Sequence, residues 1–441
     1  MPRLSPVDFV IRTVGPATRP SPLALSTTPD DDVADYVPDG AGVLFDIEVA
    51  IDHAVVRPLA FEKAGPRERI HFDPACTTAG IVTCGGLCPG INNVIRSLVL
   101  ELHHKYGVAR VLGFRYGYSG LDPACGVPPV ELRPPDVLHI HRQGGSLLGM
   151  SRGAPTVETM VDELARRDVQ ILFTIGGDGT HRGSHALADE IARRGLDIAI
   201  VGLPKTIDND IAFVDKTFGY ETAVEVARQA VDAAHTEAIS ALNGVGIVKL
   251  MGRDAGFIAA AATLASRDVN FCLVPEVRFE LDGPRGLLAA LERRLAARHH
   301  ALVVVAEGCG ASLVDADSAR DASGNVRYAD ARLDVGPRLR DRITAHFKAL
   351  GVPIVVKYID PSYMIRGCPA NAYDSIFCDA LARHAAHAGM AGKTDLLIGR
   401  AHGIFTHVPL GLVAGGRKRI DPDEGTWLAV TEATGQPPLR A

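Results

Sequence analysis

The sequence predicts an α/β protein of mainly parallel sheets flanked by helices, and three observations carry that prediction. From Ala79 onward, short apolar runs alternate with helix-length stretches, the pattern of repeated βαβ units. Each glycine-rich turn follows such a run, on the edge where sheets of this class bind ligands. A hydrophobic content of 47% over 441 residues supports a large core and, from size alone, two or three domains.

The elements follow in order. Residues 1–40 are rich in Pro, Ser, Thr and Asp, as in Arg19-Pro20-Ser21-Pro22 and Pro29-Asp30-Asp31-Asp32, and read as an extended arm rather than core. Residues 41–75 fit either state. Strands are expected at Gly80–Thr83, Ala109–Phe114, Gln170–Ile175, Asp197–Gly202, Gly246–Met251, Asn270–Val274, Ala301–Ala306 and Pro353–Lys357. Ile91, Val94, Ile95, Leu98, Val99 and Leu102 recur at helical spacing.

Composition narrows the function. A net charge of −6 gives no electrostatic case for nucleic acid or an anionic membrane, so an anionic substrate must be met by local arginines. No run of 18 apolar residues and no signal-peptide pattern appear, and the C-terminal Leu-Arg-Ala is not a peroxisomal address. The eight scattered cysteines suit reduced thiols, and Cys84 and Cys88 lack a second pair for zinc. A cytoplasmic location is expected.

Six motifs bear on chemistry. Gly85-Gly86 precedes Asn92-Asn93 at a helix start, a geometry that admits phosphate; a plain tight turn is the alternative. Gly176-Gly177-Asp178-Gly179-Thr180 sets a carboxylate among glycines, which suits a backbone–phosphate contact beside a divalent cation. That string also occurs in NAD kinases and diacylglycerol kinases. In Pro204-Lys205-Thr206-Ile207-Asp208-Asn209-Asp210, Thr206, Asp208 and Asp210 share one face if the chain is extended; a helix cap is the alternative. Met251-Gly252-Arg253 follows a strand, with a surface arginine as the alternative, and Glu307 stands at a strand end where it can accept sugar hydroxyls, against the alternative of a solvated loop carboxylate. Lys357 and Arg366 bracket a stretch containing Tyr363 and can clamp a phosphate, against the alternative of a solvated basic loop. A cation ligand and a base in one chain point to phosphoryl transfer.

In this order and spacing, Gly85-Gly86, Gly176–Thr180, Pro204–Asp210, Met251–Arg253, Glu307 and Tyr363–Arg366 resemble a 6-phosphofructokinase, over about Ala79 to Gly399. Lys205 and the Tyr-Met-Ile-Arg run are similar to the long ATP-dependent branch related to pyrophosphate-dependent enzymes. The resemblance implies a phosphofructokinase-like fold: two similar domains, with the active site between them. It implies an N-terminal extension at 1–75, a nucleotide-binding domain at 76–219 completed by about 365–415, and a sugar-phosphate domain at 220–364 completed by about 416–441.

The implied roles fall on single residues. Asp208 matches the general base toward the C1 hydroxyl of fructose 6-phosphate, with Thr206 and Arg253 as its catalytic companions. Asp178 matches the Mg²⁺ ligand. Gly85, Arg152, Gly153, Gly177, Gly179 and Thr180 match ATP-phosphate positions. Met251, Gly252, Glu307, Lys357, Tyr363 and Arg366, with Thr206, Asp208 and Arg253, match sugar-phosphate positions. Gly244 stands where the short bacterial form has an intersubunit arginine, with Lys249 as its candidate replacement. The resemblance further implies an allosteric glycolytic enzyme and a homo-oligomer, dimer or tetramer.

Three alternatives stand beside this reading. A pyrophosphate-dependent enzyme is suggested by Lys205 and opposed by Gly179, where that branch places Asp. NAD kinase is suggested by Gly176–Thr180 alone. A silent sugar-phosphate-binding regulatory subunit is opposed by the presence of both Asp178 and Asp208.

Overall fold

The computed structural model describes residues 4–26, 28, 36–48, 59–309 and 334–440. They fall into two compact units. The Pro29–Asp32 stretch lies outside the described residues.

The first unit comprises Met1–Thr206, Ile211–Gly219 and Cys368–Arg417. It is built on a nine-stranded sheet. Its centre is parallel, in the spatial order Leu396–Ala401, Ala199–Pro204, Ile171–Gly176, Thr78–Thr83, Arg110–Phe114. Every residue of the three middle strands is buried, which is why they read as unbroken apolar runs. The apolar spacing after Gly90 forms the helix Ile91–Leu100, with Ile91, Val94, Ile95, Leu98 and Val99 at zero exposure.

Both edges of this sheet are antiparallel. Val130–Glu131 closes one side, and Ile404–Pro409, Ala60–Lys63 and Gly42–Leu44 close the other. The hairpin Leu396–Ala401/Ile404–Pro409 turns on His402 and Gly403, both at positive φ (51° and 82°), as a two-residue turn requires. Its exposed amides are taken up by Asp215, whose carboxylate accepts from His402 N and Gly403 N at 3.2 and 3.1 Å. The sequence pattern misses this hairpin, whose second strand follows the first after two residues, without the helix-length spacing that marks the others.

The N-terminal arm is more than a surface tail. Phe9 is buried, with its ring 4.9 Å from that of Phe61 and 5.6 Å from that of Phe45. Arg12–Thr13 pairs with Lys393–Thr394, and Arg19–Pro20 with Arg69–Ile70.

The second unit comprises Ile207–Asp210, Tyr220–Gly367 and Lys418–Ala441. Its four strands are all parallel, in the order Phe271–Leu273, His300–Ala306, Gly244–Leu250, Val355–Ile359. Val303, Val304, Ile247 and Val248 fill the core at zero exposure. The helix Tyr220–Ile239 packs on it through small residues, Ala223, Ala227 and Ala234, which let helix and sheet approach closely. The outermost strand is finished by a side chain: Gln436 accepts from Cys272 N at 2.7 Å and donates to Cys272 O at 3.3 Å. Its amide thus occupies the place of another strand. Among the described residues, no helix is long and apolar enough to cross a membrane.

Besides His181, the first unit encloses a cluster of imidazoles: His384, His387 and His407. His384 stacks on Phe405 with centroids 4.5 Å apart, and its Nδ1 has no hydrogen-bond partner among the described residues. The His387 Nδ1 lies 2.8 Å from the Tyr106 hydroxyl, and the His407 Nδ1 lies 3.1 Å from Glu62. Burial pushes His384 and His387 down to about 3 and lowers His407 as well. The unfolded imidazoles protonate near pH 6.5, so the unfolded state takes up these protons first. Stability from these groups is therefore complete above about pH 6.5 and is lost as pH falls toward 3. His384→Phe keeps the stack and removes one such group, so the acid unfolding midpoint should move to lower pH. Circular dichroism across a pH titration would show it, and an unmoved midpoint would contradict the assignment.

Candidate active site

Within the first unit, two loops leave neighbouring strands at the same sheet edge. Strand Ile171–Gly176 ends opposite Pro204, in the register Gly176↔Pro204, and Lys205 N donates to Gly176 O at 2.9 Å. The glycine turn then opens the helix Asp178–Arg194. Gly176 is required by packing, since a Cβ there would meet the Thr180 side chain at 2.2 Å. Gly179 is not: a Cβ would find nothing nearer than Arg182 Nη2 at 3.8 Å. Gly179 is exposed, so packing does not dictate glycine there.

Asp178 is buried at the first position of its helix. Its Oδ2 receives Arg182 Nη1 at 2.5 Å and Arg417 Nη2 and Nε at 3.0 and 3.2 Å. These arginines are absent from the sequence-based set. Arg182 was legible as the i+4 partner of Asp178. Arg417 was not, being 239 residues away in the chain. Gly85, at φ +89°, sits beside Lys205, whose Nζ donates to Gly86 O at 2.9 Å. Thr180 is buried, while Arg152 and Gly153 are exposed, with Gly153 at φ +87°.

The Pro204–Asp210 stretch is not uniformly extended. It bends at Ile207 and Asp208, and Asn209 is left-handed at φ +54°, a conformation Asn tolerates better than most residues. The alternation of Thr206, Asp208 and Asp210 on one extended face therefore does not hold. No helix begins at this stretch either; the next is Tyr220–Ile239. Thr206 belongs to the first unit, and Ile207–Asp210 to the second.

Within the second unit, Asp208 gathers with Asp210, Arg253, Asp254 and Glu307. Its carboxyl is pushed well above the carboxylate range, chiefly by desolvation, then by Asp210 and Glu307. Arg253 opposes that shift. Glu307 is likewise raised by burial and held back by Arg253, Lys249 and Arg366. The Arg253 Nε lies 3.4 Å from Glu307 Oε1. Gly252, at φ +122°, has no room for a Cβ, which would meet Ala255 O at 2.4 Å. Met251 is buried. Arg366 lies on the short helix Ser362–Gly367, its guanidinium 5.0 Å from the ring of Tyr363, which is 85% exposed.

Lys357 stands apart from this group. It is exposed on the edge strand and pairs with Glu237 at 3.2 Å. Lys249 is the lysine whose charge reaches Glu307, yet its ammonium is held by Asp360 at 2.7 Å and Asp334 at 3.2 Å. At Gly244 a side chain is excluded outright, because a Cβ would lie 2.1 Å from Ala238 O. One further trio could suggest a metal: His185, Asp189 and Asp395. Arg12 already reaches it, at 2.6 Å from Asp189 and 3.4 Å from Asp395.

A family model described as Phosphofructokinase matches residues 78–389. This chain belongs to the phosphofructokinase family. Among its curated relatives are the ATP-dependent 6-phosphofructokinases of Borreliella burgdorferi and Amycolatopsis methanolica. The first is 44% identical over 447 residues, covering 98% of this chain and 97% of that one. The second is 47% identical over 441 residues, covering 98% and 95%. Among solved structures, the pyrophosphate-dependent phosphofructokinase of Marinobacter aquaeolei superposes with a TM-score of 0.65 over 83% of this chain and 92% of that one. At 20% identity, that likeness speaks for the phosphofructokinase fold alone. The α/β reading with mainly parallel sheets flanked by helices is borne out, with antiparallel edges added.

The electrostatics of this phosphofructokinase make a pH signature. If Asp208 is the base, as proposed below, it acts when ionised, and its raised carboxyl should cut kcat/KM at a higher pH on the acid side than an ordinary carboxylate would. Asp210→Asn removes the largest neighbouring charge that raises it, and the acid limb should move to lower pH. The kcat/KM–pH profiles of the two proteins check this; coincident acid limbs would exclude Asp208 as the titrating group.

Proposed function

We propose that the protein transfers the γ-phosphoryl group of ATP to O1 of fructose 6-phosphate, giving ADP and fructose 1,6-bisphosphate, in the cytoplasm and as a homo-oligomer. The observation that carries this reading is the Asp208 carboxyl, raised by burial and set beside the Arg253–Glu307 pair. A base of raised pKa is matched to taking a proton from a hydroxyl near neutral pH. Asp208 receives the C1 hydroxyl proton as O1 bonds to the γ-phosphorus and the bond to the β–γ bridging oxygen breaks. Arg253 faces the charge on the transferring group, and Thr206 steadies the acceptor. Glu307, Met251 and Gly252 shape the sugar pocket; Arg366 and Tyr363 hold its phosphate, with Lys357 as an outer contact.

In the first unit, Gly85, Arg152, Gly153, Gly177, Gly179 and Thr180 receive the donor phosphates. Asp178 fits Mg²⁺ as a hard carboxylate donor at the first position of its helix, next to a turn whose Gly179 carries no side chain. When bound there, the cation would neutralise donor phosphate charge. ATP as donor is supported by the names of the relatives at 44–47% identity and by the bare Gly179. Lys205, beside Gly85 and Gly86, favours the pyrophosphate reading. NAD kinase leaves the Asp208–Arg253–Glu307 group without a task, and a silent subunit would not need Asp208.

Asp208→Asn keeps the shape and removes proton acceptance. In a coupled assay kcat should fall on the order of 10²–10⁴-fold with a far smaller change in KM for fructose 6-phosphate; near-normal turnover would remove Asp208 from the mechanism. Gly179→Asp tests the donor. The site has room for the side chain, so the variant should fold, but its carboxylate would repel a nucleotide phosphate. Most ATP-dependent activity should go, with a relative gain for pyrophosphate. Equal donor ratios of kcat/KM in variant and wild type would refute the donor assignment.

A further inference from the structure

We propose that Glu276 is a positioning residue that ties the turn carrying Arg253 to the segment holding the Asp208 loop, and so sets Arg253 relative to Asp208. The proposal rests on the reading of Asp208 as the base and of Arg253 as the group facing the transferring phosphoryl charge. Glu276 is half-buried in the turn after the strand Phe271–Leu273. Its carboxylate serves main-chain amides. Oε1 accepts from Gly256 N and from Ile420 N, each at 3.0 Å, and Oε2 accepts from Gly256 N at 3.1 Å. Gly256 caps the N-terminus of the helix Phe257–Ser266, where a negative charge is favoured. The close approach needs glycine there, since a Cβ would meet Val274 Cγ1 at 2.4 Å and Glu276 Oε2 at 3.1 Å.

The turn 252–256 carries that anchor to Arg253. It closes on itself, because a Cβ on Gly252 would lie 2.4 Å from Ala255 O. On its other side Gly252 O accepts from Gly308 N at 3.0 Å, and a Cβ on Gly308 would lie 2.0 Å from Arg253 O. The main chain of Arg253 is therefore held between the residue after Glu307 and the helix start that Glu276 grips. The other end of the tie reaches the base. Lys418 N donates to Asp210 O at 3.0 Å, and two residues on, Ile420 N donates to Glu276. One short run of main chain thus bonds both the Asp208 loop and the carboxylate that fixes the Arg253 turn. The charges that meet at Asp208 are those of Asp210, Glu307, Arg253 and Asp254, and they come from the segments this tie joins. A displacement of about 1 Å in such an arrangement can cost on the order of 10²-fold in rate.

The test uses the full chain in the coupled assay, with thermal melting to establish that each variant is folded. Glu276→Gln keeps an oxygen at the Oε1 position and with it the bonds to both Gly256 and Ile420. Glu276→Asp keeps the charge but is one methylene too short to reach both, and Glu276→Ala removes every bond. The Gln variant should turn over within about twofold of wild type, whereas Asp and Ala should lose roughly 10- to 10²-fold in kcat with little change in KM for ATP. In those two the acid limb of kcat/KM should also move to higher pH, because a displaced Arg253 no longer holds the Asp208 carboxyl down against Asp210, Glu307 and Asp254. In an Arg253→Ala background the loss caused by Glu276→Ala should vanish. A folded Ala variant with wild-type kcat and acid limb would overturn the tie, and so would an undiminished loss in the Arg253→Ala background. If the Ala variant does not fold, Gln and Asp decide: an Asp variant as active as Gln, or more so, would show that the bonds are not what matters and would overturn the tie. Arg253→Ala by itself separates the two readings. If it leaves kcat unchanged, Arg253 has no part in the transfer and the tie falls with it. If it lowers kcat while the Glu276 variants do not, the Arg253 assignment stands and the tie alone fails.

Discussion

The pairing of Gly176 with Pro204 is the constraint on which the rest of the first unit's chemistry depends. Parallel strands in that register end side by side, and the Lys205 N–Gly176 O bond carries the pairing one residue beyond the sheet. The glycine turn and the Pro204–Asp210 stretch must then leave the same edge together. A slip of one residue would turn every side chain of a fully buried strand to the opposite face. Core packing of Ile171–Gly176 thus fixes the start of the helix that carries Asp178. Cohesion and chemistry are set by the same six strand positions.

The second unit solves a different problem, that of holding a carboxyl well above the ordinary carboxylate range. Desolvation does most of it, and the neighbouring Asp210 and Glu307 add to it. Arg253 limits the effect by sitting within reach of both Asp208 and Glu307. Glycine geometry protects this arrangement. Gly252 and Gly244 stand where any Cβ would strike backbone oxygen, so the strand Gly244–Leu250 and the turn after it can approach their neighbours only as written.

Much of this was legible in the residues. The central strands are buried on both faces, so their apolar runs announce themselves, and each glycine turn marks a strand end. What stayed hidden has identifiable causes. The hairpin through His402 and Gly403 is short and antiparallel and lacks a crossover helix to betray it. Phe9 lies in a stretch whose Pro and Ser content signals a tail, and one buried ring leaves no periodicity. Asn209 breaks an alternation that spacing alone suggests. Arg417 and Asp178 meet only because the last segment of the first unit returns across the chain's whole length. The candidate residues and Arg182 were therefore readable from local pattern, whereas Arg417, which joins them from the far end of the unit, was not.

The Gln436 amide that finishes the strand Phe271–Leu273 has a consequence for biogenesis. Until residue 436 has left the ribosome, that strand offers Cys272 N and O to any passing chain. The second unit is assembled from three separate segments, and its last segment, Lys418–Ala441, follows a long stretch of the first unit. The nascent protein carries an adhesive edge from the synthesis of this strand until that of Gln436, and cover by a chaperone would matter most in that interval. A nonsense mutation at or before codon 436 would leave that edge permanently open.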